Sequence, residues 1–388
     1  MSQSEIAKVF KSIWGNPPEV VSSSPARANL IGEHIDYNGG CVLPFAIPFR
    51  LTVAASRDGE DWGKNIMDFS SDKFGEWTMG SAIKKKEHTV EWLQIPAGVS
   101  LIAKNLGLKV GGKYRIESEI PIGSGLSSSA AFEMALFGAI FALNGKEIDL
   151  KKLALLGQRV ENEFLGVQSG IMDQMASALG KKNHLLLLDC AIIEHRYVKW
   201  PKSDCTLWVV HSGISRTLAK SEYNIRRAEC DRALEIINSN SRAQYKYLAQ
   251  VKMHVIKGLK NKLGLTLYKR AKHVISETKR VYDVVDALQK SDMEAVGEAL
   301  YESHKSLKND YEVSCRELNL LVDLAKEAGA LGGRLVGAGF GGAAIFLVPN
   351  EREHDFLNVS KIYREKTQKN PTVWKVWPDD GLSVKYLR

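Results

Sequence analysis

The chain has 388 residues, enough for two domains or three at about 100–200 residues each. Hydrophobic residues make up 44% and charged residues 25%, a balance that excludes whole-chain disorder. The formal net charge of +8 leaves nucleic acid, an anionic surface or a phosphorylated small molecule open as partners, so its location matters more than its size. Five scattered cysteines (Cys41, Cys190, Cys205, Cys230, Cys315), without CxxC or zinc spacing, support neither a disulfide framework nor a structural metal site. They suit a reducing compartment, and the cytoplasm is the expected location.

The segment MSQSEIAKVFKSIWG reads as amphipathic and lacks a signal-peptide apolar core. Arg50 to Ser56 and Tyr114 to Ile120 alternate like strands with one wet face. Phe132, Leu136, Ile140 and Leu143 recur at helical spacing, and Asn144-Gly145 ends that run. Leu153, Leu156, Val160 and Phe164 predict a further helix. Ser169 is the expected N-cap of a short one, with Met172, Met175 and Leu179 inward and Gly180 as its stop. His184–Asp189 and Thr206–Val210 read as buried strands, Ser221 to Ala328 as mainly helical, and Ala343 to Val348 as strand. The uncharged stretch Leu335 to Val348 is too short and glycine-rich to span a membrane.

Residues 241–280 hold eleven Lys or Arg and one acidic residue, Glu277. The segment reads as a solvated helical face whose lysine stems cover apolar surface. Polyanion binding is the alternative, weakened by the few aromatics available for stacking, Tyr245, Tyr247 and Tyr268.

Three glycine-rich stretches carry the organisation. In the second, PIGSGLSSSA (121–130), Gly123 and Gly125 admit close approach of an anion to the backbone. Ser127, Ser128 and Ser129 then open a helix whose dipole favours negative charge. The combination suits nucleotide phosphates, with a serine hydroxyl available to Mg²⁺. It is neither a Walker A loop nor G-x-G-x-x-G.

With RANLIGEHIDYNGG before it and GRLVGAGFGG after it, this loop resembles the GHMP small-molecule kinases, and among them the galactokinases. GIMDQMASALG, SEYNIRRAEC, KRAKHVISETKRV and ESHKSLKNDYEVSCREL agree, so the resemblance runs from about Val21 to Val348. It implies an α+β fold of two domains: an N-terminal ribosomal-protein-like domain over 1–195 and a C-terminal ferredoxin-like domain over 196–388. The active site is expected in the cleft between them.

The implied activity is ATP- and Mg²⁺-dependent phosphorylation of the anomeric hydroxyl of galactose. Arg27 and Asp173 match the family's catalytic pair, Asp173 accepting or orienting the hydroxyl proton and Arg27 stabilising the transferred phosphoryl. Glu33, His34, Asp36, Gly170 and Tyr223 match its sugar contacts. Gly123, Ser124, Gly125, Leu126, Ser127, Ser128 and Ser129 form the ATP loop, Ser129 and Glu161 match the Mg²⁺ positions, and Gly337, Gly339, Gly341 and Gly342 turn beneath the site. Sugar and ATP are the expected partners, with neither membrane nor nucleic acid.

Three departures from the family pattern (Ala26, Ser169 and His211-Ser212-Gly213) are expected near the sugar. They leave open another galacto-configured sugar, an amino sugar or a uronic acid. A silent sugar and ATP sensor is the reading from another class, opposed by the intact loop, Arg27 and Asp173.

Overall fold

The computed structural model describes residues 3–57, 62–64, 66–73, 75–80, 91–121, 123–214 and 219–387, so Ile122 of the serine loop and the first two residues of the amphipathic segment lie outside it. Its centre is the helix Ser128–Leu143, apolar on every side and almost wholly buried. A helix without a wet face must be enclosed. It lies against the strands Val20–Asn29 and Pro44–Ser56, neighbours in a sheet ordered Ser383–Tyr386, Val20–Asn29, Pro44–Ser56, Gly112–Ser118, Met67–Ser71, Gly75–Met79. Pairing is antiparallel except between Met67–Ser71 and Gly112–Ser118.

Val20–Asn29 is buried along its whole length and shifts register between Pro25 and Arg27, where Pro25 needs no ladder donor. That irregularity delivers Arg27 to the end of the central helix. A second sheet, ordered Gly332–Val336, Ala343–Pro349, Cys205–His211, Thr372–Val376, is antiparallel throughout. A third joins Cys41–Val42, His184–Asp189 and Glu194–Lys199. This last strand runs across the expected division at 195/196, and Ser383–Tyr386 returns to the first sheet.

The expected strands and helices are present, but Leu51 to Ala55 are all buried, so Arg50 to Ser56 lacks the expected wet face, and other differences fall at element ends. The helix Leu150–Arg159 continues into a π-turn, Val160–Leu165, and Met293–Ser306 into another, Leu307–Tyr311. Ser169 does not cap Met172–Leu179: the N-cap residue is Ile171, without a side-chain cap, because the Ser169 hydroxyl donates to Glu161 instead. Gly180 ends that helix as expected.

In the basic segment, Lys269, Arg270, Lys272, Lys279 and Arg280 pair with Glu312, Glu229, Asp310, Asp283 and Glu277, which disperses much of the local charge. Among the described residues, no helix is long and apolar enough to cross a membrane.

The helix Met293–Ser306 lies close against the segment leading into Gly332–Val336. A Cβ on Gly297 would stand 2.2 Å from the Leu331 carbonyl oxygen. Alanine gains about 1 kcal/mol of helix propensity over glycine, but a backbone clash of this depth forces the helix away. Gly297→Ala is therefore expected to lose about 1–3 kcal/mol net. The denaturant midpoint measures it, and an unchanged midpoint contradicts this packing.

Candidate active site

A cavity of about 420 Å³ opens where the central helix begins. The serine loop, the signature loop after the first strand, the helix Met172–Leu179 and the glycine turn after Gly332–Val336 all reach it. Every expected catalytic and sugar-contacting residue lines it, as do Ser129 and Glu161.

Arg27 and Asp173 face each other at its base. Arg27 Nε donates to Asp173 Oδ1 and Nη2 to Oδ2, both at 2.8 Å, while Nη1 donates to the Gly125 carbonyl at 3.0 Å. The Ser127 hydroxyl donates to Asp173 as well. A two-pronged guanidinium–carboxylate bond fixes distance and plane together. Arg27 is only 4% exposed. Burial alone would depress its pKa, yet Asp173 above all, with Glu33 and Asp36, holds it above the ordinary arginine value.

The loop's serines are engaged locally. Ser124 donates to the Pro121 carbonyl at 2.7 Å, and Ser129 donates to Glu161 Oε1 at 2.9 Å. Gly123 and Gly125 hold φ of 72° and 77°, and Ser127 sits left-handed at φ 60°. That conformation costs a non-glycine residue about 1–2 kcal/mol. Its bond to Asp173 is the visible compensation.

Glu161 lies in the first π-turn and is buried. Desolvation, and then the charge of Asp173, raise its pKa against the opposing bonds from Ser169 and Ser129. Such a carboxylate is stabilised by a nearby cation, so Ser129 and Glu161 fit a magnesium ion that takes its other ligands from phosphates and water. Among the described residues no three His, Cys, Asp or Glu side chains form a self-sufficient cation cage.

At the opposite end, Glu33 is 1% exposed and accepts from Asn29 Nδ2 at 2.6 Å, Arg334 Nη2 at 2.8 Å and the Gly337 amide. Much of its accepting capacity thus ties the signature loop to the glycine turn. Gly337, Gly339, Gly341 and Gly342 all hold positive φ there. His34, at φ 63°, bonds Tyr37 through Nδ1 at 2.9 Å and the Ala338 carbonyl through Nε2 at 3.0 Å.

Asp36 opens the short 3₁₀ turn Asp36–Asn38, and its pKa is pushed up to about 7, first by burial and then by the charge of Asp173. A Cβ on Gly170 would stand 1.8 Å from Asp36 Oδ2, so only glycine admits the carboxylate. Tyr223 reaches the same space from Ala219–Ser239, and burial raises its pKa well above the ordinary phenol.

Of the three departures, Ser169 alone lines the cavity. Ala26 is buried in the first strand beside Arg27. Ser212 bonds the Gly342 carbonyl through its amide and accepts from Tyr363 through its carbonyl, which places this stretch behind the glycine turn.

Sequence reasoning does not single out Arg334, wholly buried and bonded to the Asn29 and Leu30 carbonyls as well as Glu33. Nor does it find Glu133, buried and raised well above the usual carboxylate pKa by desolvation, which accepts from Gln174 at 3.0 Å. Gln174 follows Asp173 directly, and Arg334 sits among the motif's glycines; adjacency was the available signal.

The chain matches family models for the GHMP kinase N-terminal domain over 95–181, the galactokinase galactose-binding signature over 8–57 and the GHMP kinase C-terminal domain over 284–362. It is 37% identical to a galactokinase of Thermosipho africanus over 93% of this chain and 98% of that one. A galactokinase of Staphylococcus carnosus is 35% identical over 98% of each chain. The crystal structure of Lactococcus lactis galactokinase complexed with galactose superposes with a TM-score of 0.91 at 33% identity, covering 98% of this chain and 99% of that one. The Methanococcus jannaschii mevalonate kinase, at TM-score 0.65 and 19% identity over 93% and 98%, shares the fold. Signature, serine loop and glycine turn thus meet in one cavity within a fold shared along its whole length, and the chain belongs to the galactokinases of the GHMP kinase family.

Proposed function

We propose that this galactokinase-family enzyme transfers the γ-phosphoryl group of ATP to the anomeric hydroxyl of D-galactose, giving galactose 1-phosphate and ADP, with Arg27 and Asp173 as its catalytic pair. The observation that carries the site assignment is the two-pronged Arg27–Asp173 bond, which joins the first strand to the helix Met172–Leu179 beside the serine loop. The anomeric oxygen bonds to the γ-phosphorus, the bond to the bridging oxygen of ADP breaks, and the hydroxyl proton passes to Asp173. Arg27 lies beside that carboxylate to neutralise charge gathering on the transferred group.

In this reading residues 123–129 cradle the phosphates at the start of the central helix, where the aligned backbone dipoles favour anions. Ser129 and Glu161 would hold a magnesium ion, which would supply charge neutralisation on the phosphate oxygens. Asp36 and Tyr223 take the sugar hydroxyls, with Glu33, His34 and Gly170 shaping that end. The chain divides near residue 195 into N-terminal and C-terminal halves, with Ser383–Tyr386 returning to the first sheet. Its five free cysteines support a reducing, cytoplasmic setting.

The acceptor is tested by coupled ADP release across galactose, glucose, galactosamine, galacturonate and arabinose with ATP and Mg²⁺. Glucose differs from galactose only at C4, and a misplaced hydroxyl leaves a buried polar group unpaired at about 1–3 kcal/mol. Galactose is expected to give the highest kcat/KM. A higher value for another sugar overturns the galactose assignment, and no turnover with retained binding favours a sensor.

A second expectation follows from Asp36. Its folded pKa, about 7, lies above the ordinary aspartate value. Between the two the free enzyme holds a proton that the unfolded chain has lost, and any stability this proton gives fades as pH rises through about 7. The ionised form accepts sugar hydroxyls more strongly than the protonated one, so galactose kcat/KM should climb through the same pH and then level off. Asp36→Asn should lower the plateau and remove the limb. A wild-type profile flat from well below neutrality contradicts the role given to Asp36.

A further inference from the structure

Behind the sugar end of the cavity runs a chain of hydrogen bonds for which the phosphoryl transfer has no use. His34 Nδ1 meets the Tyr37 hydroxyl at 2.9 Å, Tyr37 meets the Tyr311 hydroxyl at 2.8 Å, and Tyr311 meets Cys230 Sγ at 3.1 Å. The other ring nitrogen of His34 meets the Ala338 carbonyl at 3.0 Å. Five side chains and a backbone carbonyl thus join the signature loop, the helix Ala219–Ser239, the second π-turn and the glycine turn, counting Tyr223 stacked 5.4 Å from the His34 ring.

For a neutral His34 ring the donors follow by elimination. A carbonyl only accepts, so His34 carries its proton on Nε2. With the ring neutral, Nδ1 is an acceptor and Tyr37 donates to it. Tyr37 then accepts from Tyr311, and Tyr311 accepts from the Cys230 thiol. Each member has one proton to give and one neighbour placed to take it.

The far end is rigid. Arg226 Nε donates to the Tyr311 carbonyl at 2.9 Å, Arg270 Nη1 donates to the Asp310 carbonyl at 2.6 Å, and Tyr311 itself is fully buried. The extra residue of the π-turn sets Tyr311 beneath the signature loop, and its ring lies 4.9 Å from that of His34. The near end is strained, because His34 is left-handed at φ 63° and Asp36 lies two residues on. Asn38 Nδ2 closes the loop on the His34 carbonyl at 2.9 Å.

We infer that Tyr37, Tyr311 and Cys230 are positioning residues for sugar recognition: their hydroxyl–thiol relay fixes the ring plane of His34, whose tautomer the Ala338 carbonyl sets, and so holds the signature loop and Tyr223 at the sugar. The inference rests on the proposed galactose site and deepens it. It assigns to the C-terminal half, through Cys230 and Tyr311, a share in galactose affinity. None of the three touches the ATP loop or the Arg27–Asp173 pair, so the relay acts on sugar binding and leaves the chemical step alone.

The test is a set of minimal substitutions read by steady-state kinetics and by calorimetric galactose binding. Tyr311→Phe keeps the ring and removes one hydroxyl. It should raise galactose KM and Kd about tenfold, the worth of one buried hydrogen bond, while ATP KM and kcat at saturating galactose stay near wild type. Tyr37→Phe should do the same. The double variant should lose little more than either single one, since a relay broken once is already broken. Cys230→Ser, which restores an O–H donor, should keep wild-type affinity, and Cys230→Ala should not.

The relay has a readout that does not depend on galactose turnover. ¹⁵N spectra of histidine-labelled protein should show His34 with its proton on Nε2, and Tyr37→Phe should shift its Nδ1 resonance. Wild-type galactose affinity in Tyr311→Phe, additive losses in the double variant, or His34 protonated on Nδ1 alone each overturn the inference. Wild-type protein that neither binds nor phosphorylates galactose, with His34 still protonated on Nε2, overturns the proposed function and leaves the relay geometry standing.

Discussion

One end of the cavity is organised around a single ion pair, with Arg27 buried and Asp173 partly exposed. Arg27 comes from a strand enclosed on both faces, Asp173 from the first turn of a short helix, and their two parallel bonds lock these elements together. The same guanidinium reaches the Gly125 carbonyl, and the same carboxylate holds Ser127, so the serine loop is bound to the pair at two points. Losing Asp173 leaves the buried guanidinium without its counter-charge, which is strongly destabilising. The pair therefore sets the shape of the loop.

The electrostatics of the cavity follow from an excess of carboxylates. Asp36, Glu161 and Asp173 converge there, with Glu133 behind them, and Arg27 faces them from the first strand. Burial and mutual repulsion raise the pKa values of Asp36, Glu133 and Glu161. An anionic nucleotide entering such a site needs further positive charge. At the other end Glu33 is satisfied by Arg334, so its charge is spent on joining the signature loop to the second sheet.

Much of this was legible in the sequence, and the remainder was hidden for identifiable reasons. The central helix and the Arg50–Ser56 part of its neighbouring strand announce themselves by periodicity, Thr206–Val210 by its continuous apolar run, and the three glycine stretches by composition. The first strand does not: VVSSSPARAN is buried on both faces, so no polar alternation marks it, and Pro25 argues against a strand until the register shift is seen. Ser169 looks like a helix cap because local sequence cannot show that Glu161 claims its hydroxyl. Both π-turns add one residue to an apparently regular helix, which periodicity cannot resolve. Arg334 and Tyr311 gain their significance from partners some three hundred residues away in sequence, Glu33 and Tyr37.

The most direct test of the account is transfer by an enzyme whose central carboxylate has been neutralised without change of shape. Asp173→Asn keeps the size of the side chain but removes the charge and the proton acceptor. Single-turnover measurement with galactose, ATP and Mg²⁺ should show transfer slowed on the order of 10²-fold or more, with galactose and ATP still bound at close to wild-type affinity. Transfer at near-wild-type rate in Asp173→Asn would contradict the central role of the Arg27–Asp173 pair.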